Sequence, residues 1–276
     1  MREGTEQPMA ASDYQIGAFA RPWTAFTWEE YLSSVAATGY SYMGFMRHRE
    51  AELLPGLSDE KIAWIKETLD RHGLTPTTEI SLHHSGRCPL HEGTEAAVQE
   101  ALGQLDVMAA VGVPYYVSCG TPEPALEETL FTVLREAAAY GADLGITVTI
   151  KSHGGPAGTC YDLVRMVETI DHPNFGIYYD PGNILYFTGE DPLDGIDEVA
   201  PHVVAAIIKD EVGGVRGDVE IEPGTGDVDF PAVFTHLREG GFTSGPVMVE
   251  CLGRGELDEV NERAVRVRER VEGWLA

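Results

Sequence analysis

Basic residues are scarce in this sequence. The 276 residues include 19 lysines and arginines against 45 aspartates and glutamates, which gives a formal net charge of −26 at pH 7. Proteins that bind nucleic acid need a basic patch that meets the phosphates, and anionic membranes likewise attract basic segments. The shortage of positive charge therefore argues against nucleic acid and against a membrane surface as partners.

Cysteines and long apolar runs are also few. The four cysteines contain no Cys-x-x-Cys pair, and their spacing fits neither a zinc site nor a disulfide framework: Cys88, Cys119, Cys160 and Cys251. We expect free thiols in a reducing compartment. Residues 1–12 are polar and lack the apolar segment of a signal peptide, and no run approaches the length of a membrane span. The sequence predicts a cytoplasmic protein with a flexible N-terminal segment, 1–12.

The first strand-like run is not followed by Gly-x-Gly-x-x-Gly, which disfavours a doubly wound sheet that binds dinucleotides. Instead, short β-rich runs alternate with helical stretches. Eight runs are predicted as strands: Tyr14–Ala18, Tyr40–Phe45, Thr77–Leu82, Tyr115–Cys119, Thr147–Lys151, Phe175–Asp180, Val203–Lys209 and Val247–Glu250. Eight β–α units in one chain predict a parallel sheet that closes into a single (β/α)8 TIM barrel over residues 13–276.

Several helical stretches are followed directly by glycine, which adopts the left-handed conformation that ends a helix. The expected helices are Trp28–Thr38, Ser58–His72, Glu95–Val111, Glu127–Leu144, Tyr161–Ile170, Phe230–Glu239 and Asp258–Trp274. After the sixth strand, only the short stretch Leu193–Val199 is predicted to be helical.

Side-chain alternation predicts which residues point into the barrel. Aliphatic residues of the fifth, sixth and eighth strands are expected to face the helices, which leaves Lys151, Asp180 and Glu250 inside. Each of the three lies at the C-terminal end of its strand, where the catalytic residues of barrel enzymes are found. Buried charges are costly unless they pair, so we expect these three to contact one another as catalytic residues. A buried salt bridge without chemistry is the alternative.

Further polar residues are candidates for substrate binding at the same mouth, and Asn183, after the sixth strand, is one of them. His153 continues the inward register after Lys151, and Lys209 ends the seventh strand, where it binds a substrate oxygen or pairs with Asp210. Glu79 and His84 are placed at the end of the third strand, with Ile80 facing the helices. Arg254 follows the eighth strand and is a candidate anion clamp. For each of them, a purely structural or solvated role is the alternative.

Five short motifs resemble those of the xylose-isomerase-like sugar phosphate isomerases and epimerases. They occur in the family's order over nearly the whole chain: Ile150–His153, Tyr179–Asn183, Lys209–Asp210, the glycine-rich turn Gly224–Phe230, and Val249–Glu250. The resemblance implies a barrel enzyme that acts on a sugar.

The same resemblance implies a divalent cation, held by Glu, Asp, His and Glu from the fifth to the eighth strands. This sequence has Lys151 and Ile207 at the first and third of these positions, and Asn183 replaces the histidine of the sixth strand. Because only Asp180 and Glu250 remain, we expect no cofactor. The alternative is a manganese, magnesium or cobalt ion on those two carboxylates.

The ammonium group of Lys151 is predicted to replace the cation. It would donate a hydrogen bond to a carbonyl or enolate oxygen of the substrate. A lowered pKa would instead make it a base or a Schiff-base nucleophile.

The predicted function is isomerisation or epimerisation of a small-molecule sugar or keto-sugar, or a related elimination. The main alternative is a catalytically silent sugar-binding or partner subunit that retains the barrel. A nuclease of the same barrel type is disfavoured by the net charge and by Lys151. A homo-oligomer is compatible with the sequence.

Overall fold

The computed structural model of the protein describes residues 13–46, 48–81 and 89–276. Eight parallel strands form a closed barrel, in which each strand pairs with the next and the last pairs with the first. The strands are β1 (Asp13–Phe19), β2 (Tyr42–Phe45), β3 (Thr75–Ile80), β4 (Tyr115–Ser118), β5 (Thr147–Ile150), β6 (Phe175–Tyr179), β7 (Val203–Ile208) and β8 (Ser244–Val249). The predicted TIM barrel is confirmed. The segment 1–12 and two residues named above, Cys88 and His84, lie outside the described residues.

The helices are α1 (Trp28–Ala37), α2 (Asp59–His72), α3 (Thr94–Val111), α4 (Glu127–Leu144), α5 (Cys160–Ile170), α6 (Pro181–Thr188), α7 (Ile196–Val199), α8 (Phe230–Glu239) and α9 (Leu257–Leu275). None of these helices is both long and apolar enough to cross a membrane. Short-range signals set their ends: Thr27 and Glu30 form a reciprocal capping box at the start of α1, and Gly145 closes α4 with a φ of 71°.

Helix α6 was missed by the sequence analysis. It begins directly after β6, with Pro181 in its first turn, and it ends at Gly189. The carboxylate of Asp180 accepts the backbone N–H of Asn183 and so caps the helix. Eight residues that open with Pro-Gly are too few to show an amphipathic period, so the cap was the only available signal.

The barrel interior is divided into an apolar layer and a polar mouth. The apolar layer contains eight buried residues, seven of them on strands and one just after β4: Phe19, Ile80, Val117, Cys119, Tyr178, Ala205, Ile207 and Met248. The opposite faces of β6 and β8 belong to the larger core that packs against the helices, as the alternation predicted. The polar residues therefore lie above a closed apolar floor, at the C-terminal ends of the strands.

The predicted register of β3 was wrong. Ile80 belongs to the interior layer, so Glu79 faces α3, where its carboxylate accepts a 3.4 Å hydrogen bond from Gln104. The β2–β3 pairing contains an irregularity between Met43 and Gly44. The prediction placed Ile80 outside because it is aliphatic, but the interior layer is aliphatic as well. Glu79 therefore does not belong to the mouth of the barrel.

Candidate active site

Lys151, Asp180 and Glu250 meet at the mouth of the barrel, as the register predicted. The Nζ atom of Lys151 lies 3.0 Å from Oδ2 of Asp180 and 2.7 Å from Oε2 of Glu250. All three side chains are almost completely removed from solvent. The ammonium group therefore bridges two buried carboxylates that would otherwise repel each other.

A second ammonium group completes the cluster from the end of β7. The Nζ atom of Lys209 lies 2.8 Å from Oδ1 of Asn183 and 3.0 Å from Oε1 of Glu250. The pairing of Lys209 with Asp210 that the sequence suggested is wrong. The carboxylate of Asp210 instead accepts backbone N–H groups of the glycine-rich turn, including those of Gly224 and Gly226.

Arg21 is a third cation at this site, and it was not among the residues predicted from the sequence. It lies in the single 3₁₀ turn Arg21–Trp23 that follows β1. One of its nitrogens donates to Oε1 of Glu250 at 2.8 Å, and another donates to Oε1 of Glu220 at 2.8 Å. An arginine directly after a strand could have indicated a residue of the barrel mouth. Its pairing with Glu220 could not be predicted, because Glu220 lies in the irregular connection between β7 and α8. Arg21 thus links three connections at the barrel mouth.

The three cations determine the protonation of Glu250. Burial alone would raise the pKa of this carboxyl group, but Lys151, Lys209 and Arg21 together hold its pKa well below its ordinary value. Burial alone would likewise lower the pKa of Lys151, and the charges of Glu250 and Asp180 reverse that effect and raise it. Glu250 is therefore a carboxylate and Lys151 an ammonium group.

Asp180 differs from Glu250, because burial outweighs its cationic neighbours and its pKa is raised. Its two carboxylate oxygens have separate tasks: Oδ2 accepts from Lys151, and Oδ1 accepts from the backbone N–H of Asn183. The amide of Asn183 in turn donates to the carbonyl oxygen of Ser152 at 2.7 Å. The start of α6 is thereby tied to the end of β5, which fixes Asp180 relative to Lys151.

His153 lies beside the cluster and is uncharged. Its pKa is lowered to about 3, first by burial and then by the positive charges of Lys151 and Lys209. The imidazole ring packs against Phe187, with 4.6 Å between the ring centroids. A neutral imidazole can donate through one ring nitrogen and accept through the other.

A cavity of about 860 Å³ opens above these groups, which is in the size range of pockets for small molecules. Five of the predicted site residues line it: Lys151, His153, Lys209, Glu250 and Arg254. Arg21 lines it as well. Asp180 and Asn183 are buried beneath the lining.

The side chains at this mouth do not fit a divalent cation. The ammonium group of Lys151 occupies the space between the two carboxylates, and the inward side chain of β7 is the apolar Ile207. Within the described residues, no group of three or more His, Cys, Asp or Glu side chains is arranged to hold a metal ion. Cations such as magnesium require about six oxygen ligands, and two carboxylates shared with a lysine do not supply them.

Comparison with known proteins places the chain among barrels of one type. The family described as "Xylose isomerase-like TIM barrel" matches residues 32–275. Uncharacterized protein YihM of Escherichia coli K12 is 32% identical over 100 residues, which cover 34% of this chain and 29% of that protein. Inosose dehydratase of Clostridium botulinum is 22% identical over 152 residues, which cover 49% of this chain and 50% of that enzyme. The chain thus matches half or less of the length of these curated relatives.

Solved structures match over almost the whole fold. A xylose isomerase-like TIM barrel protein from Mycobacterium smegmatis, in complex with magnesium, has a TM-score of 0.74 at 18% identity and covers 95% of this chain and 98% of its own. D-psicose 3-epimerase from Clostridium cellulolyticum H10, with D-tagatose, has a TM-score of 0.73 at 14% identity. The match covers 95% of this chain and 99% of the epimerase chain. At these identities the likeness shows the shared fold.

Proposed function

The chain belongs to the xylose isomerase-like TIM barrel family, and we propose that it catalyses proton transfer beside a carbonyl group of a sugar or keto-sugar. The outcome is isomerisation, epimerisation or the related elimination of water. The names of the similar proteins support this class, because they include a sugar epimerase and inosose dehydratase. The residues of this chain support a version of the reaction that uses an ammonium group in place of a divalent cation.

The free N–H bond of Lys151 is the observation that carries the proposal. An ammonium group has three N–H bonds, and Lys151 donates two of them to Asp180 and Glu250. No third acceptor is found among the described residues, and the side chain lines the cavity. The remaining N–H bond of this buried lysine is therefore available to a substrate oxygen, where it stabilises developing negative charge.

The proposed step begins with a substrate carbonyl oxygen that accepts this N–H bond. A C–H bond on the adjacent carbon breaks, its electron pair forms the enolate, and the proton moves to Glu250. Protonation of the same carbon on its other face, by a proton from solvent, gives epimerisation. Return of the proton from Glu250 to the former carbonyl carbon, while the proton of the adjacent hydroxyl group moves to the former carbonyl oxygen, gives isomerisation. Loss of a hydroxyl group from the next carbon, as water, gives elimination.

Glu250 is a weak base while all three cations bind it, because its pKa is low. A substrate that draws Lys151 and Lys209 toward its own oxygens weakens their hold on the carboxylate and raises its basicity. Substrate binding thereby activates the base in place. Asp180 remains beneath as the fixed counter-charge that holds Lys151, and His153 is positioned to bind a hydroxyl group.

A Schiff base or general-base role for Lys151 is disfavoured. Both require a neutral amine at working pH, whereas the two carboxylates raise the pKa of Lys151 above its ordinary value. Borohydride treatment in the presence of substrate is therefore expected to leave the protein unmodified.

Deuterium exchange from solvent tests the proposal directly. Purified protein in D₂O, with and without added Mn²⁺, Mg²⁺ or Co²⁺, is incubated with a panel of ketoses, keto-sugar acids and inososes and followed by NMR. Exchange at a carbon adjacent to the carbonyl is expected in at least one compound, independent of added metal. Ligand-induced stabilisation without exchange in any compound would contradict the proposal and indicate a silent sugar-binding barrel.

A further inference from the structure

The charge of the cavity differs from that of the whole chain. Four cationic side chains line it: Arg21, Lys151, Lys209 and Arg254. They face Glu220 and Glu250 in the lining and Asp180 beneath it, and His153 is neutral. Among these described side chains one positive charge is therefore left over, in a chain whose net charge is −26.

The surplus charge belongs to Arg254, in the connection from β8 to α9. Its side chain is exposed, and within residues 13–46, 48–81 and 89–276 it forms neither an ion pair nor a hydrogen bond. The backbone N–H groups of residues 253–255 also have no acceptor in that part of the chain. At Gly255 the loop passes close to the side chain of Glu259, since a Cβ atom there would lie 2.3 Å from its Oε2 atom.

Arg263 supports this loop from α9 below. One of its nitrogens donates to the carbonyl oxygen of Arg254 at 3.0 Å, and its Nε atom is buried without a hydrogen-bond partner in the described structure. Glu259 does not pair with it, since its carboxylate accepts the backbone N–H of Glu256. Among the described residues, the backbone N–H groups of this loop and the side chain of Arg254 are therefore donors without an acceptor.

We propose that the substrate is an anionic sugar, whose carboxylate or phosphate group binds to Arg254 and the 253–255 loop while its carbonyl group lies at Lys151. This inference rests on the proposed function and adds the charge class of the substrate. Guanidinium groups bind both kinds of oxyanion through paired hydrogen bonds. The connections after the seventh and eighth strands are also a frequent anion-binding place in this barrel architecture.

Calorimetric titration with three probes tests the charge class and its source. D-Fructose is the neutral probe, D-glucuronate carries a carboxylate, and D-fructose 6-phosphate carries a phosphate. At least one anionic probe is expected to bind roughly tenfold or more tightly than D-fructose, because its oxyanion accepts charge-assisted hydrogen bonds that a neutral sugar cannot form. The anionic probe that binds more tightly shows whether the substrate carries a carboxylate or a phosphate group.

The variants Arg254→Gln and Arg135→Gln locate the binding. Both remove one exposed positive charge, but Arg135 lies on α4 and donates to the carbonyl oxygen of Thr169, away from the cavity. Arg254→Gln is expected to abolish the preference for the anionic probe, and Arg135→Gln to leave it intact. Equal binding of all three probes, or an anion preference that survives Arg254→Gln, would overturn the proposal.

Different results would refute the proposal of an anionic substrate and the proposal of a proton-transfer reaction. Anion binding through Arg254 without any deuterium exchange would support the anionic substrate and refute the proton-transfer reaction. Exchange in neutral ketoses at equal rates in the wild type and Arg254→Gln would support the reaction and refute the anionic substrate.

Discussion

Glu250 and Glu79 are both buried glutamates of the barrel wall, and their surroundings give them opposite properties. Glu250 is 1% exposed and contacts three cations at the mouth. Glu79 is 2% exposed, and its carboxylate accepts a hydrogen bond from the amide of Gln104 and from no other side chain that the structure describes. Burial raises the pKa of Glu79 well above its ordinary value, while the cations hold that of Glu250 well below it. The same desolvation therefore produces a neutral structural group in one place and a carboxylate beside a cavity in the other.

The difference teaches that burial alone does not mark a functional carboxylate in this barrel. What distinguishes the mouth is a balanced set of charges with donors left over for a ligand, at the end of the barrel where substrates enter.

The largest effect is expected for Lys151→Met. The variant leaves Asp180 and Glu250 buried without the ammonium group between them, so exchange activity should be lost and stability should fall by roughly 3–5 kcal/mol. Urea unfolding and deuterium exchange measure the two effects. Lys66→Met, at an exposed position on α2, is the matched control and should preserve both. Wild-type exchange in Lys151→Met would remove this residue from the reaction.

Glu250→Gln is expected to come next. It removes the proton acceptor and leaves three cations without their shared carboxylate, so exchange should drop by about 10²-fold or more. Because the pKa of Glu250 is depressed in the folded state, its stabilising effect is present above the unfolded value of about 4.5 and is lost as pH falls through the folded pKa. The variant should therefore be less stable than the wild type at pH 7 and approach it in acid. Equal pH profiles of stability would contradict the ion-pair account.

Arg21→Gln should have an intermediate effect on the same carboxylate. Removal of one of three cations raises the pKa of Glu250, so the acid limb of the exchange rate should move to higher pH while activity at pH 8 is largely kept. Arg71→Gln, which breaks the exposed pair with Glu29, is the control. An unchanged acid limb in Arg21→Gln would mean that Arg21 does not influence the ionisation of Glu250.

Glu79→Gln should give the smallest effect and the opposite sign. The raised pKa of Glu79 means that ionisation favours the unfolded chain as pH rises above about 4.5. Glutamine does not ionise, so the variant should have a higher melting temperature than the wild type at pH 8, a difference that shrinks toward pH 4.5. Exchange activity should stay near the wild-type level. A loss of activity comparable to that of Glu250→Gln would show that Glu79 takes part in the reaction at the mouth of the barrel.

The sequence was sufficient for the eight strands and for the inward register of β5, β6 and β8. The outer faces of these strands carry mainly aliphatic and aromatic residues, so the charged residues at the strand ends were expected to point inward. The same rule failed for β3, because the interior layer that receives Ile80 is aliphatic as well. A strand with apolar neighbours on both faces carries no register signal, and the irregular β2–β3 pairing is a tertiary feature.

The contacts of the candidate site were only partly predictable for a related reason. Lys151 and Asp180 lie on neighbouring strands, so their contact follows from strand spacing. Arg21 reaches Glu250 only because β1 and β8 close the barrel, and its second partner, Glu220, lies in an irregular connection. The partner of Lys209 depends on the glycine-rich turn. Backbone N–H groups of this turn donate to the carboxylate of Asp210, and Lys209 donates to Glu250 instead.

The central claim is that an ammonium group, held between two carboxylates, replaces a divalent cation at this mouth. Metal analysis of the purified protein, combined with deuterium exchange before and after extended treatment with a chelator, tests it most directly. The account predicts far less than one equivalent of divalent metal per chain and an exchange rate that the chelator leaves unchanged. A stoichiometric divalent ion, whose removal abolishes exchange and whose return restores it, would contradict the account.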